Sequence, residues 1–266
     1  MDAIKTLIDT VARIRDPKTG CPWNLEQTMQ SLARCTVEET AELVDALQNN
    51  DTANIREELG DLLFHVVLYC QHAQEEGLFT LEDVARDVDA KIKRRKPWVF
   101  GDVKVTNSAE ATATWQAIKA KEKTNTKAQS VLNGIPKSLP ALAAAHEIQK
   151  RACAAGFKWP DFESFFPKIH EELGELQEAV QSQNPDHIEE ELGDTLFTLA
   201  ITGWFTKTNP ELALRRVNNK FTARFQHVEK RMAEHNLPMD YAHFEHMETY
   251  WQEAKKLEKS GQLKAS

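Results

Sequence analysis

Carboxylates recur in this chain at a spacing that suits a hard cation. Glu171, Glu172 and Glu175 stand in "HEELGEL", and Glu190, Glu191 and Asp194 follow in "EEELGD". On a helix, residues three and four apart share a face. Glu171 and Glu175 therefore stack one turn apart, and Glu191 and Asp194 do the same on the next helix. Packed antiparallel, two such helices set Glu171, Glu172 and Glu175 opposite Glu191 and Asp194. Like charges that close raise one another's pKa and resist burial. A divalent ion is the natural counterweight, and oxygen donors without Cys or His select Mg²⁺, with Mn²⁺ as a substitute. A lone E-E-x-x-E is usually a solvated face, but here the pattern is built twice. Glu38, Glu39 and Glu42 precede the second set by 133 positions, and Glu57, Glu58 and Asp61 precede Glu190, Glu191 and Asp194 by the same offset.

Basic and aromatic residues complete a site for a phosphorylated ligand. Lys220 and Arg224 lie four apart in "NNKFTARF", and Lys91 and Arg95 have the same spacing in "KIKRRKPWVF". Such pairs suit phosphate oxygens; on a long helix they also occur as plain surface charge. Trp115 in "TWQAIKAKE" returns as Trp251 in "YWQEAKKLE", suited either to stacking a base or to packing one helix on another.

The elements that must hold these residues are helices. "SLARCTVEETAELVDALQ", "ANIREELGDLLFHVVLYCQHAQEE", "PDHIEEELGDTLFTLAITGWF" and "NPELALRRVNNKFTARFQHVEKRMAEH" repeat apolar residues at three- and four-residue spacing. Asp51, Asp161 and Asn209 are suited to cap helix starts, and Pro210 to a first turn. No useful length of β-alternation occurs, so the expected class is all-α. Leu173, Leu176 and Val180 are expected to face the core, with Leu192, Leu196 and Leu199 as the apolar stripe of the following helix. Gly60 and Gly193, between the acidic residues, cost helix stability. Either a close neighbour requires them or duplication carried them along.

The repeat extends through Trp23 and Trp159 and points to an ancient duplication. The polar stretch at 123–138, with Asn-Gly and Pro, reads as a linker. The expected domains are therefore 1–122 and 139–266.

Composition narrows the function. A net charge of −8 over 266 residues argues against broad nucleic-acid binding, which needs basic surface. No apolar run nears the roughly 20 residues of a membrane span. The start, "MDAIKTLIDTVARIRD", lacks a signal peptide's apolar block, so a cytoplasmic protein is expected. Four scattered cysteines form no C-x-x-C pair, and no Glu-x-x-His exists for a di-iron bundle. The rival to an enzyme is a helical adaptor that binds partners through its acidic helices.

"CPWNLEQTMQSL", "EETAEL", "EELGDLLF", "RRKPWVFG", "KRACAAGFKW", "EELGEL" and "EELGDTLF" together resemble the tandem-domain form of the MazG family of nucleoside triphosphate pyrophosphohydrolases. One stretch departs, with Lys96 and Trp98 where that family usually carries histidines. The resemblance implies all-α domains whose four-helix bundles are completed by homodimerisation. It also implies Mg²⁺-dependent hydrolysis of (d)NTPs to monophosphate and pyrophosphate, mainly in the C-terminal domain. Carried across, Glu171, Glu172, Glu175, Glu191 and Asp194 match metal ligands, with Glu172 and Glu175 in catalysis. Lys168, Glu190, Glu191, Lys220, Arg224 and Trp251 match substrate contacts. Glu38, Glu39, Glu42, Glu58, Asp61, Lys91 and Arg95 offer a second site in the N-terminal domain, but Cys35 stands at the Lys168 position there.

Overall fold

Helix-capping chemistry sets the hairpins that carry the acidic residues. In a computed structural model describing residues 2–123 and 130–263, every regular element is helical. The chain divides into unit 1, Met1–Thr126, and unit 2, Lys127–Ser266. Unit 1 holds α1 (Asp2–Ile14), α2 (Pro22–Glu26), α3 (Ala33–Asn49), α4 (Thr52–Glu75), α5 (Leu81–Arg95), α6 (Pro97–Phe100) and α7 (Ser108–Lys123). Unit 2 holds α8 (Ala141–Ala154), α9 (Phe162–Ser182), α10 (Pro185–Thr206), α11 (Pro210–Glu234), a 3₁₀ turn (Tyr241–His243) and α12 (Phe244–Lys259).

The five long helices of each unit correspond, while the short α2 and α6 of unit 1 have no α-helical counterpart in unit 2. The pair α3–α4 matches α9–α10; α1 packs on α4 as α8 packs on α10; α5 meets α7 as α11 meets α12. Both acidic hairpins use the same two-residue turn. Asn50 and Gln183 take left-handed conformations at φ 54° and 55°, ending one helix. The Asp51 and Asn184 side chains then accept hydrogen bonds from the first backbone N–H groups of the next. So short a turn leaves the two helices antiparallel neighbours. Asp161 and Asn209 cap α9 and α11 as expected, with Pro210 in the first turn.

Each unit has its own core. Val11, Leu32, Val67 and Leu68 form it in unit 1. In unit 2, Phe165, Ile169 and Ile201 are joined by Trp159, Phe162 and Phe205, and a second cluster of Val228, Met232 and Tyr250 joins α11 to α12.

The expected inward arcs are placed differently. Leu173, Val180, Leu192, Leu196 and Leu199 are exposed, and Leu176 is part-buried. The buried face of α9 instead runs through Phe165, Ile169, Glu172 and Ala179, and that of α10 through Thr195, Thr198 and Ile201. The physical reason is that each helix carries two apolar strips, and one hairpin partner covers only one of them. The uncovered strip recurs in unit 1, where Leu59, Leu63 and Val66 are exposed at the 133 offset from Leu192, Leu196 and Leu199.

The division between the units falls within the stretch 123–138; α7 includes Lys123, and Arg151 of α8 donates to the Asn133 carbonyl at 2.7 Å, tying that turn to unit 2. Residues 124–129 lie outside those described. At Gly60 and Gly193 an added Cβ would meet nothing within 4 Å among the described residues. Close packing requires glycine instead at Gly20, where a Cβ would sit 2.4 Å from the Ile14 carbonyl oxygen, and at Gly203, where it would sit 2.4 Å from the Thr208 carbonyl oxygen and 3.1 Å from Pro210. Gly203→Ala is therefore expected to lower the melting temperature, whereas Gly60→Ala raises stability by up to about 1 kcal/mol; thermal unfolding of both variants checks the pair.

Candidate active site

Unit 2 places its acidic residues on facing turns of α9 and α10. Thr195 donates to the Glu172 carbonyl at 3.3 Å, which fixes their level across the hairpin. Glu172, Glu175 and Glu191 converge, each offering a carboxylate oxygen within 4.8 Å of the others. Glu172 belongs to the inner face and is 5% exposed. Glu171, Glu190 and Asp194 are solvent-exposed and lie outside that triad. Of the five predicted ligands, three are thus brought together by one chain alone.

Lys168 sits on the same cluster. Its Nζ donates to Glu171 Oε1 at 2.7 Å and lies 2.9 Å from Glu172 Oε1. The hydrogen bond to Glu171, then that to Glu172, pushes the lysine pKa up and favours the ammonium form. Desolvation, together with the Glu191, Glu172 and Glu171 charges, raises the Glu175 carboxyl above its ordinary value, with Lys168 opposing. His187 adds a 3.3 Å approach to Glu191.

Unit 1 repeats the arrangement with another third member. Glu39, Glu58 and Asp61 converge within 4.8 Å, while Glu38 and Glu42 lie outside the triad. No lysine stands there: Cys35 takes the Lys168 position, and Arg34 is drawn to Glu38 at 3.5 Å. Desolvation raises the Glu39 pKa first, then the Asp61 and Glu42 charges; a hydrogen bond from Glu58 opposes them. Glu58 is raised by desolvation and then by Glu42, Glu39 and Asp61. Its Oε2 is buried without a hydrogen-bond partner. A clustered, oxygen-only donor set with an unsatisfied lone pair fits a hard divalent cation.

The basic and aromatic residues form a separate constellation. Arg224 donates through Nε to Glu258 Oε2 at 2.6 Å, and its guanidinium lies 5.6 Å from the Trp251 ring centroid. Trp251 also packs on Phe221 at 5.0 Å, so it joins α12 to α11. Lys220 is part-buried one turn before Arg224, while Lys91 in unit 1 is exposed. Arg95 repeats the Arg224 contacts, donating to Glu122 with its guanidinium 5.9 Å from Trp115. Glu122 and Glu258 are the residues that sequence reasoning passed over. Their signal was the last letter of the repeated "WQ…E" segments. A second omission is the polar link across α3–α4, where the Thr36 hydroxyl meets His65 Nδ1 at 3.2 Å and the Tyr69 hydroxyl at 2.7 Å.

With this geometry established, relatives place the chain. The profile of the MazG nucleotide pyrophosphohydrolase domain matches residues 27–100 and again 161–232. The chain belongs to the MazG family. It is 41% identical over 260 residues to an Escherichia coli protein named nucleoside triphosphate pyrophosphohydrolase, covering 97% of this chain and 99% of that protein. It is 39% identical to a Thermotoga maritima protein named nucleoside triphosphate pyrophosphohydrolase/pyrophosphatase MazG, over 94% of each chain. A crystal structure of a MazG-related protein from Thermotoga maritima matches at 30% identity and a TM-score of 0.38, covering 45% of this chain and 99% of that one.

The raised carboxyls carry a sign. A carboxylate whose folded pKa is raised destabilises the fold above that value, and the penalty lifts as pH falls through it. In chelated buffer, Glu58→Gln is expected to raise the melting temperature near neutral pH, with the gain shrinking as pH falls into the carboxylate range. If the triad holds a divalent cation, the same variant is expected to gain less thermal stabilisation from added Mg²⁺ than the parent does. Differential scanning fluorimetry across pH, with and without Mg²⁺, measures both; a lowered melting temperature at neutral pH contradicts the repulsion argument.

Proposed function

We propose that the chain is a Mg²⁺-dependent nucleoside triphosphate pyrophosphohydrolase whose main catalytic centre lies in unit 2. It cleaves (d)NTPs to monophosphate and pyrophosphate. Family membership and the names of near-full-length relatives support the reaction class. The observation that favours unit 2 is the Lys168 ammonium beside Glu171 and Glu172, where unit 1 has Cys35.

Glu172, Glu175 and Glu191 would hold the cation, with Glu171 and Asp194 at the rim for a second ion. A bound divalent ion supplies charge neutralisation of the triphosphate and activation of the attacking water. The chain's own residues do the rest. Glu172, poorly solvated on the inner face, orients or accepts a proton from the water that attacks the α-phosphorus. The α–β anhydride bond breaks and its electron pair leaves with pyrophosphate. Lys168, Lys220 and Arg224 meet the charge that develops on the phosphate oxygens. Trp251 offers an aromatic surface to the base, and Glu190 lies beside the ligand set at the solvent edge.

The exposed leucine strips of α4 and α10 support a homodimer that completes each bundle, since apolar strips in register in both halves mark an interface. The net charge of −8 supports nucleotides rather than nucleic acid as ligands. No helix among the described residues is long and apolar enough to cross a membrane, and a nucleotide-pool enzyme belongs in the cytoplasm.

Glu172→Gln is expected to lower kcat for pyrophosphate release by about a hundredfold or more, with the helical circular dichroism retained. Lys168→Met is expected to lower kcat/KM while leaving Mg²⁺ binding intact or tighter, because it removes a competing cation. Wild-type turnover in both variants contradicts the assignment to unit 2.

A further inference from the structure

The arginine of each half is gripped in the same way. In unit 2, a single oxygen of Glu258 contacts both Nε and Nη2 of Arg224, each at 2.6 Å. In unit 1, a single oxygen of Glu122 contacts Nε and Nη2 of Arg95 at 2.9 and 2.6 Å. Both guanidinium groups lie within 6 Å of an indole, Trp251 or Trp115. Tryptophan and glutamate are seven positions apart in each half, hence on one face two turns apart. The arginines are 129 positions apart, whereas the tryptophans and the glutamates are each 136 apart. The connection between the helices changed length between the halves, and the three-residue arrangement did not.

We propose that Glu258 is a positioning residue for nucleotide binding, holding Arg224 so that its Nη1 edge is presented to a phosphate of the substrate. The proposal rests on the reading that Arg224 contacts the nucleotide. Gripping the Nε–Nη2 edge against an indole removes most of the rotamer freedom of a long side chain before the ligand arrives. The entropy of ordering it is then not charged to binding. The other edge of the guanidinium fork remains to donate to phosphate.

A tie that only joined α12 to α11 would be redundant here. The helices already share a core of Val228, Met232 and Tyr250, and Glu253 bridges His227 and Arg231, each at 3.4 Å. Unit 1 differs in one respect. There Glu122 also takes Arg94 at 2.7 Å on its other oxygen, and Ala223 stands at the corresponding position before Arg224. The Glu258 carboxylate thus has no second arginine beside the first.

The test is calorimetric binding of the non-cleavable analogue α,β-methylene-ATP with Mg²⁺ to the full chain. Arg224→Ala, Glu258→Ala, Glu258→Gln and the double alanine variant are compared with the parent. Each Glu258 variant is expected to weaken binding about tenfold, and kcat/KM for ATP falls by at least as much, because Arg224 also meets charge developing in the transition state. The double variant binds no more weakly than Arg224→Ala, because Glu258 acts through Arg224. Should Glu258→Ala fail to fold, Glu258→Gln, which keeps the shape, carries the comparison. Weak binding by Arg224→Ala with parental binding by both Glu258 variants overturns the proposal and leaves the nucleotide contact standing. Additive losses in the double variant also overturn it, since Glu258 then acts independently. Parental binding by Arg224→Ala overturns the contact itself and the proposal with it.

Discussion

Three carboxylates brought within one small volume by a helical hairpin are the constraint on which this structure turns. The hairpin α9–α10 buries aromatic rings at one end, Phe165 stacked on Phe205 at 5.1 Å with Trp159 against them. Further along the same buried face comes Glu172. An apolar residue there would pack at no electrostatic cost. The chain instead sets Glu172 beside Glu175 and Glu191, and desolvation, followed by repulsion from the neighbouring carboxylates, raises the Glu175 carboxyl against the opposing Lys168 charge. Such an arrangement is a stability cost unless a cation compensates it. The same cost falls on Glu39 and Glu58 in the first half.

The halves answer this constraint differently. In unit 2 the Lys168 ammonium provides an internal positive charge shared between Glu171 and Glu172. In unit 1 Cys35 stands at that position in place of a lysine, and two carboxyls rather than one are raised. A cation bound at the unit 2 triad would share it with the Lys168 ammonium, whereas the unit 1 triad has no lysine at that position. Duplication has thus kept the ligand scaffold, the hairpin turn and the arginine grip in both copies while altering the charge next to the metal position. In unit 1, the polar link of Thr36, His65 and Tyr69 also stands where unit 2 has Ile169, Thr198 and Thr202.

Much of this was legible in the sequence because duplication prints each feature twice. The all-helical class, the cap at Asp51 and the pairing of two acidic helices follow from periodicity and spacing; which carboxylates converge does not, since spacing grouped Glu171 and Asp194 with Glu172, Glu175 and Glu191. What periodicity alone misplaced was the inner face. Leu173 and Glu172 are adjacent in sequence and both near the helix contact, and hydrophobicity favours the leucine as the buried one. The structure buries the glutamate because the aromatic end of the hairpin sets the rotation of α9, and the leucine strip remains for another surface. Glu122 and Glu258 were hidden for a different reason. A carboxylate that holds an arginine looks like any surface charge until its partner is seen. No contact among the described residues explains Gly60 and Gly193.

The central claim is that these acidic hairpins serve cation-dependent cleavage between the α and β phosphates. Phosphorus-31 NMR of ATP incubated with the full chain, with Mg²⁺ and then with chelator, tests it most directly. AMP and pyrophosphate resonances that grow only with Mg²⁺ are the predicted result. Release of ADP with orthophosphate, or equal turnover under chelation, would contradict the account.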